Sequence, residues 1–318
     1  MIDVVNLSKR YGATLAVDAL TFTVRPGIVT GFLGPNGAGK STTMRMIMGL
    51  DRPTTGHALV NGRPLAEHPA PLREAGALLE AKGLHPGRSA RDHLLALGAT
   101  TGIGARRVDE VLELVGLSEV ARKRAGAFSL GMGQRLGIAG ALLGDPEVVV
   151  LDEPVNGLDP EGVRWIRHLL QDLAAEGRTV FVSSHLMNEM AVTAEHLIIV
   201  GRGTLIADVS LAEFTAQSAR GTVLVRTDRP ADLRTALLAD GVGVTEDSDA
   251  ALEVSGLTAR QIGDQALAAG IAIHELTPVR ASLEEAFMEL TGDAVQYHGG
   301  SAHPSTSAST PGQIGQAA

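Results

Sequence analysis

The sequence contains no cysteine, so disulfide bonds and thiolate metal sites are excluded, and residence in the cytosol is the simplest fit. It also lacks any apolar run of about 18 residues, the length that a membrane-spanning helix needs. The start, Met1-Ile2-Asp3, has neither the charged nor the apolar segment of a signal peptide. We therefore expect a chain that neither crosses a membrane nor is secreted.

Basic side chains are few. The chain has 27 Lys and Arg against 36 Asp and Glu, and its formal net charge at pH 7 is −9. A nucleic-acid partner or an anionic lipid surface would require a basic face, so this charge argues against both. The 318 residues, 44% of them hydrophobic, are enough for one large α/β domain and a smaller unit.

The larger unit is expected at residues 2–219, as a doubly wound α/β core with an antiparallel β region at its start. A helical insert is expected at about residues 88–144. The expected strands cover residues 2–5, 20–24, 28–33, 56–61, 148–151 and 179–183, with a closing hairpin at 197–200 and 205–207. The expected helices cover residues 91–99, 108–115, 134–143 and 160–175.

A small α+β domain is expected at residues 220–292, with an accessory role in dimerisation or regulation. Its expected strands cover residues 223–226, 251–254 and 271–274, and its expected helices cover 231–238, 258–269 and 283–290. Residues 293–318 are rich in Gly, Ser, Thr, Pro and Ala, with almost no large apolar side chain. Such a composition cannot offset the entropy of ordering, so we predict a disordered tail.

A glycine-rich loop follows the apolar run at 28–33. It reads Gly34, Pro35, Asn36, Gly37, Ala38, Gly39, Lys40 and Ser41, and Thr42 begins a helix. This spacing is typical of a loop whose backbone N–H groups surround phosphate groups at a helix N-terminus. We expect Lys40 to contact the β- and γ-phosphates of a nucleoside triphosphate and nothing else, and Ser41 to bind Mg²⁺. The alternative is a glycine-rich surface turn.

A second motif ends the apolar run at 148–151 with Asp152 and Glu153. In ATPases of this kind the first carboxylate reaches Mg²⁺ through water, and the second polarises the attacking water. His185 lies just past the strand predicted at 179–183, and because parallel strands hold ligands at their carboxyl ends, we expect it near the γ-phosphate. The alternatives are a strand that merely ends in acidic residues, and an ordinary loop histidine.

A third motif, Phe128-Ser129-Leu130-Gly131-Met132-Gly133-Gln134-Arg135, narrows the interpretation. Together with the two motifs above and His185, in this order and spacing, it resembles the nucleotide-binding subunit of ATP-binding cassette (ABC) transporters, which have a P-loop NTPase core. The resemblance covers about residues 2–219. It implies that Ser129 and Gly131 contact the γ-phosphate of ATP held by a second subunit, so that function requires a dimer. It also implies that Tyr11 stacks on adenine.

Two departures from the common family pattern are present. Met132 stands where the signature usually has an amide, and Glu80 stands where a linking loop usually has glutamine. Both variants resemble the branch that serves drug, antibiotic and lantibiotic exporters, as does the C-terminal unit. Glu80 remains able to bind Mg²⁺, although its negative charge near the γ-phosphate can slow turnover.

The resemblance implies an ATP-hydrolysing subunit that drives a separate membrane permease and lies at the inner face of the cell membrane through it. A homodimer is favoured over a heterodimer, and the permease is expected to dock near residues 80–91. One alternative is a soluble ABC ATPase that acts on DNA or the ribosome, but the chain has neither a long coiled-coil insertion nor a second cassette. Another is a phosphate-loop kinase, which has no use for the third motif or His185.

Overall fold

The computed structural model describes residues 1–79, 83–218, 222–239, 241–246, 251–279 and Phe287. The strands are β1 Ile2–Tyr11, β2 Thr14–Val24, β3 Val29–Leu33, β4 Thr55–Val60, β5 Ala75–Leu78, β6 Val148–Asp152, β7 Thr179–Ser184, β8 His196–Gly201, β9 Thr204–Ser210, β10 Thr222–Arg226, β11 Gly243–Glu246, β12 Leu252–Ser255 and β13 Glu275–Val279. The helices are α1 Lys40–Ile47, α2 Pro71–Glu74, α3 Ala90–Gly98, α4 Ala105–Leu114, α5 Leu130–Leu142, α6 Pro160–Ala175, α7 Met187–Thr193, α8 Leu211–Ser218, α9 Pro230–Leu237 and α10 Ala259–Ala268. Among the described residues, no helix is long and apolar enough to cross a membrane.

The N-terminal sheet is antiparallel, with strand order β2-β1-β4, as the alternating apolar residues predict. Ile2, Val4 and Leu7 of β1 are almost fully buried. The ring of Phe22 on β2 lies 5.8 Å from that of Phe32 on β3, measured between centroids. This aromatic contact attaches the sheet to the core of the domain.

The central sheet has six strands in the order β5-β6-β7-β3-β8-β9, parallel except for β9. All five residues of β3 are buried, which agrees with the largely apolar sequence of this strand. Because β6, β7 and β3 are neighbours, their carboxyl ends meet at one edge of the sheet. That edge brings the predicted loop after β3 next to Asp152 and the end of β7.

The helical insert contains α3, α4 and α5 close to their predicted positions. Helix α5 begins four residues earlier than the periodicity indicated, because the Ser129 hydroxyl caps it by accepting from the Met132 N–H at 3.2 Å. The helix over 160–175 and the hairpin of β8 and β9 are as predicted. The structure therefore has the predicted α/β core, antiparallel N-terminal region and helical insert.

The C-terminal unit is an antiparallel sheet of order β11-β12-β10-β13, joined by α9 and α10 in a βαββαβ arrangement. The strand predicted at 271–274 is wrong. Ile271 ends α10 by donating from its N–H to the Ala266 carbonyl, and pairing with β10 starts at Glu275. Strand β11 was not predicted. The helix predicted at 283–290, Phe287 excepted, and the tail at 293–318 lie outside the described residues.

Candidate functional site

The loop from residue 34 to residue 39 connects β3 to α1, as predicted. Gly39 caps the helix with φ +96°, in the left-handed region that favours glycine. A Cβ there would lie 2.6 Å from the Ala16 carbonyl oxygen, and a Cβ at Gly34 would lie 2.4 Å from the Val200 carbonyl oxygen. Glycine at both positions therefore allows the loop to pack closely against the neighbouring backbone.

The Lys40 ammonium group is held inside the loop. Its Nζ donates to the Gly34 carbonyl at 2.6 Å and to the Pro35 carbonyl at 3.3 Å, and the residue is only 7% exposed. Burial lowers the pKa of Lys40, while the charges of Glu153 and Asp152 act in the opposite direction. The expectation that this side chain contacts only a ligand is therefore wrong, because it also binds the loop's own carbonyl groups.

Asp152 and Glu153 are held by a residue that the sequence interpretation missed. The Ser183 hydroxyl, fully buried on β7, donates to the Asp152 carboxylate and accepts from the Glu153 N–H at 2.9 Å. Glu153 has φ +52°, which is strained for a residue with a Cβ and persists only where its surroundings hold it. Ser183 thus orients one carboxylate and supports the backbone of the other.

Two further side chains meet at Glu153. Its carboxylate oxygen Oε2 lies 2.7 Å from His185 Nδ1, and its carbonyl accepts from Gln134 Nε2 at 3.2 Å. His185 is about half exposed and follows β7, where it was predicted. Gln134 lies within a motif that was recognised, but no role was predicted for it. No local sequence signal predicts the second contact, because Gln134 and Glu153 are 19 positions apart.

The loop and the two carboxylates border an open cleft of about 240 Å³. Its lining residues are Ala16, Asn36, Gly37, Ala38, Gly39, Lys40, Ser41, Thr42, Asp152 and Glu153. All of them except Ala16 were predicted site residues. In the part of the chain that the structure describes, no group of three or more His, Cys, Asp or Glu side chains could hold a metal ion. A metal in this cleft would therefore need ligands in addition to protein carboxylates and imidazoles.

Ser129 and Gly131 do not line this cleft. They lie at the exposed N-terminus of α5, where a Cβ on Gly131 would be 2.9 Å from the Gly157 carbonyl oxygen. Gly131 thus allows α5 to pack against the loop that follows Glu153. The residues predicted to contact ATP therefore form two groups, one in the cleft and one on α5.

Tyr11 lies at the end of β1 and is about half exposed. Its hydroxyl donates to Asp51 Oδ2 at 3.0 Å, and the Lys9 ammonium is 5.0 Å from the ring centroid. Burial raises the pKa of Tyr11, the hydrogen bond with Asp51 raises it further, and the nearby Thr42 side chain lowers it. Thr42 also lines the cleft, so Tyr11 lies beside it. Glu80 lies outside the described residues.

Comparison with known proteins identifies the family of the chain. Residues 17–156 match the family described as ABC transporter, and residues 221–284 match a domain of unknown function. The chain is 43% identical over 212 residues to the bacitracin transport ATP-binding protein BcrA of Bacillus licheniformis, covering 66% of this chain and 69% of that one. It is 36% identical over 300 residues to the uncharacterized ABC transporter ATP-binding protein YhcH of Bacillus subtilis (strain 168), covering 92% and 96%. Among solved structures it resembles the dimeric post-hydrolysis state of the ATP-binding cassette MJ0796 bound to ADP and Pi, with TM-score 0.61, 26% identity and coverage of 66% and 99%.

Proposed function

The chain belongs to the family of ABC transporter ATP-binding proteins, and we propose that it binds ATP in the cleft beside Lys40 and closes with a second copy of itself to drive an exporting permease. ATP binding and hydrolysis follow from membership of the family. The identity of the second subunit, the site residues and the exported substrate are the proposed parts.

The observation that carries the proposal is the cleft itself. It combines a loop of N–H groups, the Lys40 cation and two carboxylates at the carboxyl ends of parallel strands. We assign Gly34, Pro35, Asn36, Gly37, Ala38, Gly39, Lys40, Ser41 and Thr42 to the phosphates of ATP. Tyr11, beside Thr42, is assigned to adenine, where its ring would provide an apolar face.

The donor set of the cleft fits Mg²⁺. The Ser41 hydroxyl and the Asp152 carboxylate both line it, and both are oxygen ligands of the kind that this ion prefers. Mg²⁺ usually takes one or two protein ligands together with water and phosphate oxygens, so the lack of a larger described cluster is expected. When bound, the ion would neutralise charge on the phosphates. Glu80 is proposed as a further ligand of Mg²⁺.

Hydrolysis is assigned to Glu153 and His185. The Glu153 carboxylate borders the cleft and would orient a water molecule in line with the γ-phosphate, accepting its proton. His185 Nδ1, 2.7 Å from that carboxylate, would hold it in place. Ser183 would maintain the relation between Asp152 and Glu153 through its two hydrogen bonds.

The position of Ser129 and Gly131 supports a two-subunit site. Both lie at an exposed helix N-terminus on α5 and apart from the cleft, so a second subunit can bring its cleft to them. The related cassette MJ0796 is described as dimeric. A homodimer requires no second gene product and is the arrangement that we propose.

We propose an antibiotic or a similar peptide as the exported substrate, because the relative BcrA is named for bacitracin transport. The chain would then lie at the inner face of the membrane, bound through the permease near residues 80–91. A role with nucleic acid is disfavoured by the net charge of −9.

The proposal is tested by expressing the chain with a candidate permease, a protein with about six apolar spans of 20 residues, in a bacitracin-sensitive host. We expect the minimal inhibitory concentration to rise, and Lys40→Ala to abolish the rise. Equal sensitivity with and without an active chain, at matched expression, would contradict export of this class of substrate.

The C-terminal unit and the domain limits remain proposals: an ATPase domain at 2–219, an accessory domain at 220–292 and a tail at 293–318. A separate hydrophobic core supports the second domain, and its members run from Val223 to Ile271. Phe287, however, belongs to the core of the ATPase domain. Phe287 therefore packs against the first domain, which suits a regulatory role of the accessory segment.

A further inference from the structure

Gln134 is a buried polar residue that the hydrolysis scheme above does not use. It lies in the second turn of α5 and is 2% exposed. Its Nε2 donates to the Glu153 carbonyl at 3.2 Å, whereas its Oε1 is buried and has no hydrogen-bond partner among the described residues. An amide that leaves its acceptor unpaired is a poor choice for stability, since an apolar side chain of the same shape would pack as well.

The donor end of this amide meets a strained residue. Glu153 has φ +52°, and its carbonyl accepts from both Gln134 Nε2 and the Asn156 N–H. The Asn156 contact holds the turn that follows the strand. The Gln134 contact instead joins that turn to a different element, α5, which approaches closely because Gly131 has no Cβ to collide with the Gly157 carbonyl.

We propose that Gln134 is a positioning residue for Glu153. Through its hydrogen bond, Gln134 makes the position of the Glu153 carboxylate depend on the position of α5. The inference rests on the two-subunit site proposed above. In that dimer the N-terminus of α5 faces the ATP of the other subunit. When α5 shifts slightly on contact with that ATP, the Gln134 amide transmits the shift to the Glu153 backbone. The ATP bound in one site thereby affects hydrolysis in the other.

Gln134→Met tests the role, because it keeps the length of the side chain and removes both polar ends. The Asn156 N–H still satisfies the Glu153 carbonyl, so we expect an unchanged melting temperature and ATP dissociation constant. The expected loss in kcat is about 10-fold, since a small misplacement of a catalytic group has a large effect on rate. If Gln134→Met does not fold, Gln134→Leu also removes both polar ends, and the same loss in kcat is expected.

Arg135→Gln is the matched control on the same helix. Arg135 donates to the Val115 carbonyl and stacks on Trp165, away from Glu153, so its kcat should equal that of the parent. In the double variant Gln134→Met with Glu153→Gln, kcat should equal that of Glu153→Gln alone, since both changes act through one group. The positioning role would be overturned if the kcat loss in the double variant were the product of the two single losses. A wild-type kcat in the Gln134 variants would overturn it as well.

The link between the sites is read from the ATP dependence of hydrolysis. We expect a Hill coefficient approaching about 2 in the parent chain, the number of sites in the dimer, and about 1 in Gln134→Met. Equal coefficients in the two proteins would overturn the link. A parent chain that hydrolyses no ATP and forms no ATP-dependent dimer would instead contradict the proposed function, so the two failures are distinguishable.

Discussion

His185 Nδ1 lies 2.7 Å from the Glu153 carboxylate oxygen Oε2, across the ends of the neighbouring parallel strands β6 and β7. The register that pairs Asp152 with Ser183 brings the two side chains together, because it aligns the carboxyl ends of both strands. A carboxylate that would otherwise turn freely is therefore directed by a second side chain. The arrangement predicts that residues which align these two strand ends affect hydrolysis more than they affect ATP binding.

Lys40→Ala should abolish ATP hydrolysis, because it removes the cation assigned to the β- and γ-phosphates. The loss of its hydrogen bonds to Gly34 and Pro35 should change the free energy of unfolding by only about 1 kcal/mol, since the burial of a charge is relieved at the same time. ATPase assay and thermal denaturation measure the two effects. Lys123→Ala, an exposed lysine of the helical insert, is the control. Hydrolysis at the parent rate in Lys40→Ala would contradict the site.

Ser183→Ala should lower kcat by about 10–100-fold, the usual effect of losing a side chain that orients a ligand of the metal. The Asp152 carboxylate loses a donor, and the partly buried Glu153 N–H loses its acceptor, which should reduce the free energy of unfolding by about 1–3 kcal/mol. Ser184→Ala is the neighbouring control, because the Ser184 hydroxyl accepts from the Leu186 N–H instead. Similar kcat values in the two variants would exclude the orienting role of Ser183.

Stability should fall below about pH 6.5, the ordinary pKa of histidine, partly because of His93. Burial lowers the pKa of this residue, and the charges of Arg88 and His85 lower it further. The unfolded chain therefore binds a proton at a higher pH than the folded chain, so folding loses free energy as pH falls through that range. Urea unfolding between pH 8 and pH 5 should show a shallower decline for His93→Leu than for the parent or for the exposed-site control His168→Gln. Parallel curves would contradict this.

Phe287→Ala should destabilise the chain by about 3–5 kcal/mol, because Phe287 is 7% exposed within the core of the ATPase domain. Truncation after Thr291 should leave the melting temperature and ATPase activity nearly unchanged, since the composition of the lost segment cannot support a core. Leu267→Ala is the control for Phe287→Ala, because Leu267 is 80% exposed and its replacement should hardly change stability. A tail deletion as damaging as Phe287→Ala would show that the tail is docked.

The phosphate loop, the Asp152-Glu153 pair and His185 could be predicted because each follows a buried strand, and parallel strands bring their carboxyl ends together. Ser183 and Gln134 could not. Their hydrogen bonds to Glu153 span 30 and 19 positions, and a serine in a strand or a glutamine in a helix carries no local signal of such a contact. The prediction that Lys40 contacts only a ligand was wrong for the same reason, since the partners of Lys40 are backbone carbonyl groups, which carry no sequence signal.

The fold was predicted best where apolar periodicity is long. Strands β5 and β11 are only four residues each and were missed. Residues 271–274 were predicted as a strand because Ile271 and Ile273 alternate, but Ile271 instead packs into the small domain's core as the chain leaves α10. The return of Phe287 to the first core had no sequence signal, because an apolar residue in an expected helix does not reveal which core it joins.

Glu153→Gln tests the two-subunit site most directly, since it keeps the shape of the side chain and removes the base assigned to hydrolysis. ATP should then stay bound between the loop of one subunit and residues 129–131 of the other, which stabilises the closed state. Light scattering in Mg-ATP should report a dimer for Glu153→Gln and a monomer for Glu153→Gln with Lys40→Ala, which cannot hold ATP. A monomer of Glu153→Gln with its nucleotide site saturated would contradict the account.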